Sequence, residues 1–541
     1  MRKHGFDSRQ GRMKVDYLNL SRAEDLKSPK ERILYRFFEI LPGALSLGAL
    51  GAAFFLSWLA PKAAAIFIIA FDLYWLLRIF YLSLHQIASF LQMRKNLKTD
   101  WRAKLEKSEI ENWRDIYHLI ILPMCREKIE IVRPTLESLA AADYPKAQML
   151  VVLTVEERAG DSAQRVAEEV EREFSQKFFK FLATTHPRNI PGEAAGKGSN
   201  QAWAIKEAKE KIINLLKIPS ENIIVSGFDI DTRIEPQYLA CLTWHYLTAE
   251  RPRRTSYQPI PVYNNNIWEA PAFSRVIATS STFWQMMQQE RQEQLVTYSS
   301  HSMPFEALEE VGYPSNLVSD DSRIFWKSYL YYDGDYRVVP LYYPVYMDTV
   351  MAKTLVRTII NQYRQQRRWA WGVENVPYLL FNFLKNPEGV VSRPCGAGKK
   401  IPLREKFRHA FNILDGFWSW ATCALIIFFL GWLPIVLGRG NFNLTILSFY
   451  LPKVTSYILS VANIGIIACA VLNFWFLPPR PPYFGKWRYV FFTLQWLLTP
   501  INLILFGSAP ALEAQTRLLL KKYLGFWVTP KHRKLGMPQI S

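Results

Sequence analysis

Hydrophobic residues are distributed unevenly along the 541-residue chain. Apolar stretches long enough to cross a bilayer lie near both ends, whereas the centre alternates short apolar runs with amphipathic segments, as α/β proteins do. Two such stretches lie within residues 35–95, separated by a tight turn at Pro61, and three more lie within residues 406–510. We therefore predict a multi-pass membrane protein with a large aqueous domain, residues 100–375, inserted between α-helical transmembrane segments.

The segments that flank these regions are polar or basic. Residues 1–34 lack the small-residue cleavage site of a signal peptide, which predicts a cytoplasmic tail. Residues 376–405 predict an interfacial helix and a linker, and residues 511–541 a second basic tail. The formal net charge of +19 fits a positive-inside bias, and no zinc-finger, recognition-helix or RNA-binding signature indicates a nucleic-acid partner. We expect a plasma-membrane protein with a cytoplasmic central domain.

The C-terminal membrane region poses a parity problem. Two crossings followed by three would place the C-terminus outside the cell, although the tail there is basic. We predict that one C-terminal segment is re-entrant, with a break near Pro500, or that Asn443 to Leu477 contains two passes. Within the second segment, Asp72 and Arg78 should face protein or each other, and we expect a structural pair because charges inside a bilayer are paired.

Four apolar runs of strand length organise the central region: residues 118–123, 149–155, 178–185 and 222–228. Amphipathic helical patterns separate them, which predicts a doubly wound, mainly parallel sheet. The fourth run ends at Asp229 and Asp231, where an α/β sheet holds its ligand. Two carboxylates there suit a hard divalent ion and, with it, a nucleotide-sugar diphosphate, although Asp-x-Asp also occurs by chance in loops.

Further polar residues can be placed around the same edge. Glu156 and Glu157 follow the second run, either near the aspartates or as solvated loop residues. Lys197, between two glycines at a helix start, can bring a cation and free backbone N–H groups to a phosphate, unless this Gly-Lys-Gly is a chance match. Asp320 and Asp321 are adjacent, so a raised pKa would make one of them a general base; a surface helix cap is the alternative.

A cationic aromatic segment follows at residues 361–372. Gln365, Arg368 and Trp369 lie within about one helical turn. An arginine fork suits diphosphate oxygens, and a tryptophan face suits a sugar ring. An amphipathic helix on anionic lipid is the alternative interpretation.

These motifs resemble the membrane-embedded family 2 glycosyltransferases, the group that contains cellulose, chitin and hyaluronan synthases. Asp229-Ile230-Asp231, the Asp320-Asp321 pair and Gln365 to Trp369 occur in the order of that family, and the last is similar to its Gln-x-x-Arg-Trp signature. Residues 526–531, FWVTPK, resemble the Phe-x-Val-Thr-x-Lys gating-loop motif of bacterial cellulose synthases. The resemblance implies a GT-A-like fold for the central domain.

The resemblance also implies roles around the donor. Asp231 would coordinate Mg or Mn, with Asp229 directed toward the ribose or the metal shell. Lys197 and Glu156 would contact the nucleotide, and Arg368 would hold the leaving diphosphate. The family usually has an aspartate where Glu156 stands, so this contact departs from its pattern. Two tail residues would close over the bound donor: Thr529 and Lys531.

On the acceptor side, the resemblance implies that Asp321 is the base that activates the hydroxyl, with Asp320 beside it. Trp369 and Gln365 would line the acceptor site. The usual Thr-Glu-Asp is Ser319-Asp320-Asp321 here, which keeps the final aspartate.

The sequence therefore predicts an inverting, metal-dependent glycosyltransferase that uses a nucleotide sugar, UDP-linked by expectation, to extend and export a polysaccharide. A non-processive enzyme that glycosylates a membrane lipid is the first alternative. A non-catalytic scaffold or transporter that retains the fold is the second. The sugar, the linkage and any partner subunits are left open by the sequence.

Overall fold

The computed structural model describes residues 17–385, 401–482 and 484–533. Parts of both predicted tails and most of the predicted linker after residue 385 lie outside the described residues. The strands are β1 (Tyr117–Met124), β2 (Met149–Glu156), β3 (Lys180–His186), β4 (Ile223–Gly227), β5 (Arg233–Ile234), β6 (Thr255–Val262), β7 (Ser302–Pro304) and β8 (Arg337–Tyr346).

The helices of the first half, up to the end of the central sheet, are α1 (Pro29–Leu59), α2 (Pro61–Lys98), α3 (Trp101–Glu106), α4 (Ile129–Ala140), α5 (Asp161–Phe174), α6 (Lys197–Ala208), α7 (Asn214–Leu216), α8 (Tyr238–Thr248), α9 (Ala272–Gln289), α10 (Phe305–Val311) and α11 (Asp320–Tyr331). Those that follow are α12 (Leu355–Ala370), α13 (Asn375–Lys385), α14 (Leu403–Phe428), α15 (Leu433–Leu437), α16 (Arg439–Asn443), α17 (Ile446–Trp475), α18 (Arg488–Leu494), α19 (Thr499–Asn502) and α20 (Ala509–Leu519).

The central domain is built on one eight-stranded sheet in the order β3-β2-β1-β4-β7-β6-β8-β5. The four apolar runs predicted from the sequence are β1 to β4, and these strands pair in parallel. The short strand β7 pairs antiparallel with both β4 and β6, and β8 pairs parallel with β6. The predicted fold class, an α/β GT-A-like domain between apolar helices, is confirmed.

Both faces of this sheet are buried, and successive side chains along a strand point to opposite faces. Along β1, Ile120 and Leu122 belong to one buried cluster, with the apolar faces of α4, α5 and α8, whereas Leu119 and Ile121 belong to a second cluster with α6, α10 and α11. Because both faces are covered, the carboxyl ends of the parallel strands are the open edge where polar side chains converge.

Within the described residues, five helical segments are long and apolar enough to cross a membrane: Pro29–Leu59, Pro61–Lys98, Leu403–Phe428, Ile446–Trp475 and Arg488–Leu519. The start of α2 clusters with the start of α17 through Ile68 and Leu451, away from the sheet. The end of α2 packs on the central domain, where Phe90 clusters with Ile260 of β6 and with Ala470 near the end of α17. These two helices therefore run in the same direction, toward the domain.

The last apolar segment is irregular and touches the central domain at both ends. It passes through a 3-10 turn, then through the short helix that contains Pro500, and then through a π-helical turn. Near its start, Trp496 stacks on Phe283 of α9 with ring centroids 6.0 Å apart. Near its end, Glu513 pairs with Arg367 of α12 at 2.6 Å. The backbone stays helical through Pro500 and changes only its helix type there, so the expected break near Pro500 remains a prediction.

The expected pairing of Asp72 with Arg78 is wrong. Arg78 Nη2 instead pairs with Asp415 Oδ2 of α14 at 3.0 Å. At about 100° per residue, side chains six positions apart on a helix point in directions about 120° apart, so the two cannot meet without distortion. Asp72 is buried in protein, with 3% of its surface exposed.

Two segments predicted as tail or interfacial helix are packed into the protein. Residues 17–26 bury Leu18, Leu20 and Leu26 in the second cluster. Helix α13 buries Tyr378 and most of its other side chains in the same cluster. Both segments are therefore part of the hydrophobic core of the central domain.

Candidate active site

The two aspartates of the Asp-x-Asp motif lie just after β4, at the open edge. Lys197, the first residue of α6, places its Nζ 2.6 Å from Asp229 Oδ1 and also donates to Ser299 Oγ at 3.3 Å. Burial raises the pKa of Asp229, but the charges of Lys197 and Lys531 outweigh burial and hold it well below its usual value. This aspartate is therefore ionised and paired.

Asp231 is held by the C-terminal tail. The Lys531 ammonium forms an ion pair with Asp231 Oδ1, and the backbone N–H of Asp348 donates to Asp231 Oδ2 at 2.9 Å. The tail adds a second cation, because Arg533 Nη2 lies 2.6 Å from Asp348 Oδ1. Burial raises the pKa of Asp231, and Lys531 opposes that rise. Sequence reasoning missed Asp348 and Arg533, which no motif marks.

The glycines beside Lys197 allow this close approach. A Cβ on Gly198 would lie 2.7 Å from the carbonyl oxygen of Pro314 and 2.9 Å from Cβ of Asp320. A Cβ on Gly196 would lie 2.6 Å from the ring of Phe526 in the tail. Any side chain at these positions would push the start of α6 away from its two neighbours.

The adjacent aspartates begin α11. Asp320 is 2% exposed and accepts a hydrogen bond from the Tyr313 hydroxyl at 2.9 Å. Burial and the charge of Asp321 raise the pKa of Asp320 to about 7. Burial also raises the pKa of Asp321, while the charges of Lys197 and Arg368 oppose that rise. Asp321 is less buried than its neighbour and senses the cations of the site, which suits a base that receives a proton from a bound hydroxyl.

Helix α12 carries the predicted arginine and tryptophan. The Arg368 guanidinium lies over the Phe526 ring at 5.1 Å, and among the described residues its buried Nε has no hydrogen-bond partner. Trp369 lies against Tyr263, with ring centroids 5.8 Å apart. Gln365 contacts its own helix, where it accepts a long hydrogen bond of 3.5 Å from Gln362. The arginine fork thus has capacity for an anionic ligand.

The tail residues predicted to resemble a gating loop reach the same edge. Thr529 is 8% exposed, and among the described residues its hydroxyl has no hydrogen-bond partner. Trp527 lies under the Arg364 guanidinium at 5.7 Å. Through these contacts and the ion pair of Lys531, the tail lies against both Asp231 and α12.

Glu156 is the predicted donor contact that the structure leaves apart from the aspartates. It ends β2, and β1 lies between β2 and β4 in the sheet, so the glutamate is not directly beside Asp229. Its carboxylate is buried and forms an ion pair with Arg158. The neighbouring Glu157 accepts a hydrogen bond from the backbone of Arg188 at 2.9 Å.

No cluster of three or more His, Cys, Asp or Glu side chains in the described part of the chain is arranged to hold a metal ion. Asp229 and Asp231 instead face the ammonium groups of Lys197 and Lys531. Two carboxylates that bind cations fit Mg2+ or Mn2+, because such ions commonly take one or two protein carboxylates and complete their shell with phosphate and water.

Residues 224–477 match the family model described as Glycosyl transferase family group 2. The matched region includes Asp229, Asp231, the Asp320-Asp321 pair and α12, whereas Lys197 and the tail lie outside it. No match was found among curated proteins.

Among solved structures, the chain is similar to the mannosyltransferase PcManGT from Pyrobaculum calidifontis in complex with GDP-Man and Mn2+, at 14% identity and a TM-score of 0.39, over 84% of this chain and 99% of that one. It is also similar to S. aureus TarS 1-349 in complex with UDP-GlcNAc, at 12% identity and a TM-score of 0.35, over 68% of this chain and 93% of that one.

Proposed function

We propose that this protein is an integral-membrane glycosyltransferase that transfers a sugar from a nucleotide diphosphate sugar, with inversion, to a growing polysaccharide. The observation that carries the proposal is the convergence of distant stretches at one edge of the sheet. Carboxylates, cations and a candidate base meet there: Asp229, Asp231, Lys197, Asp321, Arg368 and Lys531. The family match over residues 224–477 supports the same reaction class.

In the proposed reaction, a carboxylate acts as the base and two cations stabilise the leaving group. Asp321 takes the proton of the acceptor hydroxyl, whose oxygen attacks the anomeric carbon from the face opposite the leaving group. The bond from the anomeric carbon to the diphosphate oxygen breaks, and the nucleoside diphosphate departs with the electron pair. Arg368 and Lys197 stabilise the negative charge that develops on it. The raised pKa of Asp321 makes it a stronger base than an exposed carboxylate.

A divalent ion belongs to this proposal. Asp231 and Asp229 would hold Mg2+ or Mn2+, and the ion would supply positive charge to the diphosphate when bound. Lys531 pairs with Asp231 in the structure, so the tail ammonium would give up that contact if Asp231 held the ion. In the donor complex, Lys531 and Thr529 would then turn to the diphosphate, in keeping with the resemblance of the tail to a gating loop.

We also propose a topology in which the central domain is cytoplasmic and only α1, α2, α14 and α17 cross the membrane. The support is the last apolar segment, which contacts the domain near both its ends. A re-entrant or interfacial segment of this kind returns the tail to the catalytic side and removes the parity problem. Reporter fusions after Pro482 and at the C-terminus test it, because both must report the cytoplasm, and an extracytoplasmic C-terminus would contradict it.

A membrane-lipid acceptor is the second candidate, because of one surface next to the site. The first half of α12 exposes four apolar side chains: Leu355, Val356, Ile359 and Ile360. A helix that exposes such a face rests on lipid, which would bring Arg368 and Trp369 close to the membrane surface. Product length decides between the candidates, since a single added sugar on lipid would exclude the polymerase.

The experiment that tests the proposed function is a donor screen with purified protein. UDP-, GDP- and CDP-sugars are offered with Mg2+ or Mn2+, and release of nucleoside diphosphate is measured together with radiolabelled product. We expect turnover with one donor class that requires the metal. No turnover of any donor, equal in wild type and Asp321→Asn, would favour a non-catalytic scaffold.

A further inference from the structure

Glu374 is a buried carboxylate that the proposed chemistry does not use. It lies in the 3-10 turn that follows α12, and 7% of its surface is exposed. Its Oε1 accepts hydrogen bonds from the backbone N–H groups of Val318 at 3.2 Å and Ser319 at 2.8 Å, and from the Ser319 hydroxyl at 2.7 Å. Its Oε2 accepts from the Trp371 indole at 2.8 Å. All four donors are neutral groups. A negative charge buried among neutral groups costs free energy, which points to a role for this carboxylate.

The groups that Glu374 holds begin the helix of the candidate base. Ser319 is the N-cap residue of α11, and its own side chain makes no capping hydrogen bond. The carboxylate of Glu374 binds the capping residue and the residue before it, and its negative charge lies at the positive end of the helix. Glu374 therefore fixes the backbone directly before Asp320 and Asp321.

The other end of this connection is α12. Arg368 lies six residues before Glu374 in the chain, and the indole that binds Glu374 belongs to Trp371, three residues after Arg368. The carboxylate thus joins the end of the helix that carries the arginine to the start of the helix that carries the base. No other element has to intervene between the two.

A second buried side chain, that of Arg323, strengthens the connection between α11 and the end of α12. Arg323, on the first turn of α11, is 1% exposed and donates to Asn375 Oδ1 at 2.6 Å and to the Glu374 carbonyl oxygen at 3.1 Å. Its remaining amino group donates to the Leu20 carbonyl oxygen at 2.7 Å. The two helices are therefore joined by side chains from both directions, so the relative position of Asp321 and Arg368 is set by this buried network.

We infer that Glu374 is a positioning residue for the proposed transfer: it holds the base Asp321 in register with the diphosphate-binding Arg368. The inference rests on the proposed function. Because a displacement of about 1 Å at a reacting group can reduce a rate by about 100-fold, a joint of this kind controls kcat more than donor affinity. Donor affinity depends on Lys197, on the metal carboxylates and on Arg368, none of which Glu374 contacts directly through its side chain.

The test compares Glu374→Ala, Glu374→Gln and the control Trp371→Phe in the full-length purified protein. For Glu374→Ala we expect kcat to fall by about 10- to 100-fold, while the Kd of the nucleotide sugar, measured by calorimetry with Mn2+, changes by less than about 3-fold. Glu374→Gln keeps an oxygen that can accept from Ser319, so it should recover most of the lost kcat. Trp371→Phe leaves the contacts with Val318 and Ser319 in place and should have the smaller effect.

Three outcomes would overturn the inference. They are an unchanged kcat in Glu374→Ala, a donor Kd that weakens in proportion to kcat, and the absence of any rescue in Glu374→Gln. If Glu374→Ala does not fold, as judged by its thermal transition, Ser319→Ala decides the question, because it must lower kcat at unchanged donor Kd while Glu374→Gln keeps most of the wild-type kcat; a wild-type kcat in Ser319→Ala would overturn the inference. Wild-type protein that transfers no sugar would count against the proposed function itself, whereas active wild type with an equally active Glu374→Ala would count against the positioning role alone.

Discussion

Replacing Lys531 with methionine should have opposite effects on metal affinity and on the rate of sugar transfer. In the free protein the Lys531 ammonium pairs with Asp231, which is the proposed metal ligand. The ammonium therefore competes with the metal, although in the donor complex it is expected to stabilise the diphosphate. Lys531→Met removes both effects, so we expect tighter Mn2+ binding in the absence of nucleotide and slower transfer in its presence.

The size of the effect follows from burial. The Asp231 side chain is 2% exposed and that of Lys531 17%, so water screens their attraction only in part. Two unit charges about 4 Å apart attract by about 4 kcal/mol at an effective dielectric constant near 20, and rehydration of the released ammonium offsets a large part of this. A remainder of about 1.4 to 2.8 kcal/mol corresponds to Mn2+ affinity that is about 10- to 100-fold higher in the variant. Loss of one cation at the diphosphate should lower kcat by about 100-fold.

Isothermal titration of Mn2+ into nucleotide-free protein measures the first effect. It should be run near pH 8, because loss of the lysine raises the pKa of Asp231 further and protons would otherwise compete with the metal. Lys522→Met, an exposed lysine earlier in the same tail, is the matched control and should bind Mn2+ as wild type does. If Lys531→Met binds Mn2+ with unchanged or weaker affinity, the ammonium does not compete for Asp231 and the reasoning fails.

Three further predictions concern the base, the arginine and the glycine. Burial raises the pKa of Asp321, the proposed base, so wild-type kcat should decrease as the pH falls through that raised value, at a higher pH than an ordinary carboxylate would give; Asp320→Asn removes the charge beside Asp321 and should move this limb of the pH profile to lower pH. Arg368→Lys keeps the charge but loses the fork, and steady-state kinetics should show kcat/KM reduced by about 10-fold or more, whereas an unchanged value would exclude bidentate contact. Gly198→Ala places a Cβ 2.7 Å from the Pro314 carbonyl oxygen and should lower the free energy of unfolding by about 1 to 3 kcal/mol; an unchanged thermal transition would show that the loop yields freely.

The sequence was most informative where structure is local. The four apolar runs of the central region became β1 to β4, because continuous runs of strand length are what a doubly covered parallel sheet requires. The strands β5 and β7 are two and three residues long, too short for any alternation to mark them. The place of Asp229 and Asp231 at the sheet edge followed directly from the end of the fourth run.

Side-chain partners distant in the chain were not predictable in the same way. Arg533 and Asp348 meet only because the tail folds back over the sheet, and nothing near either residue indicates this pairing. Glu374 is a further example, since its role depends on a loop 55 residues earlier. The Asp72 and Arg78 expectation failed because nearness in sequence was taken for nearness in space, whereas the actual partner of Arg78 comes from α14.

The most direct test of the proposed function is sugar transfer by purified Asp321→Asn beside wild type, with radiolabelled donor and Mn2+. Asparagine has nearly the same shape but cannot accept the hydroxyl proton, so we expect the variant to bind the donor normally and to lose about 100- to 10,000-fold in kcat. An Asp321→Asn protein that transfers sugar at the wild-type rate would contradict the assignment of the base, and with it the proposed organisation of the site.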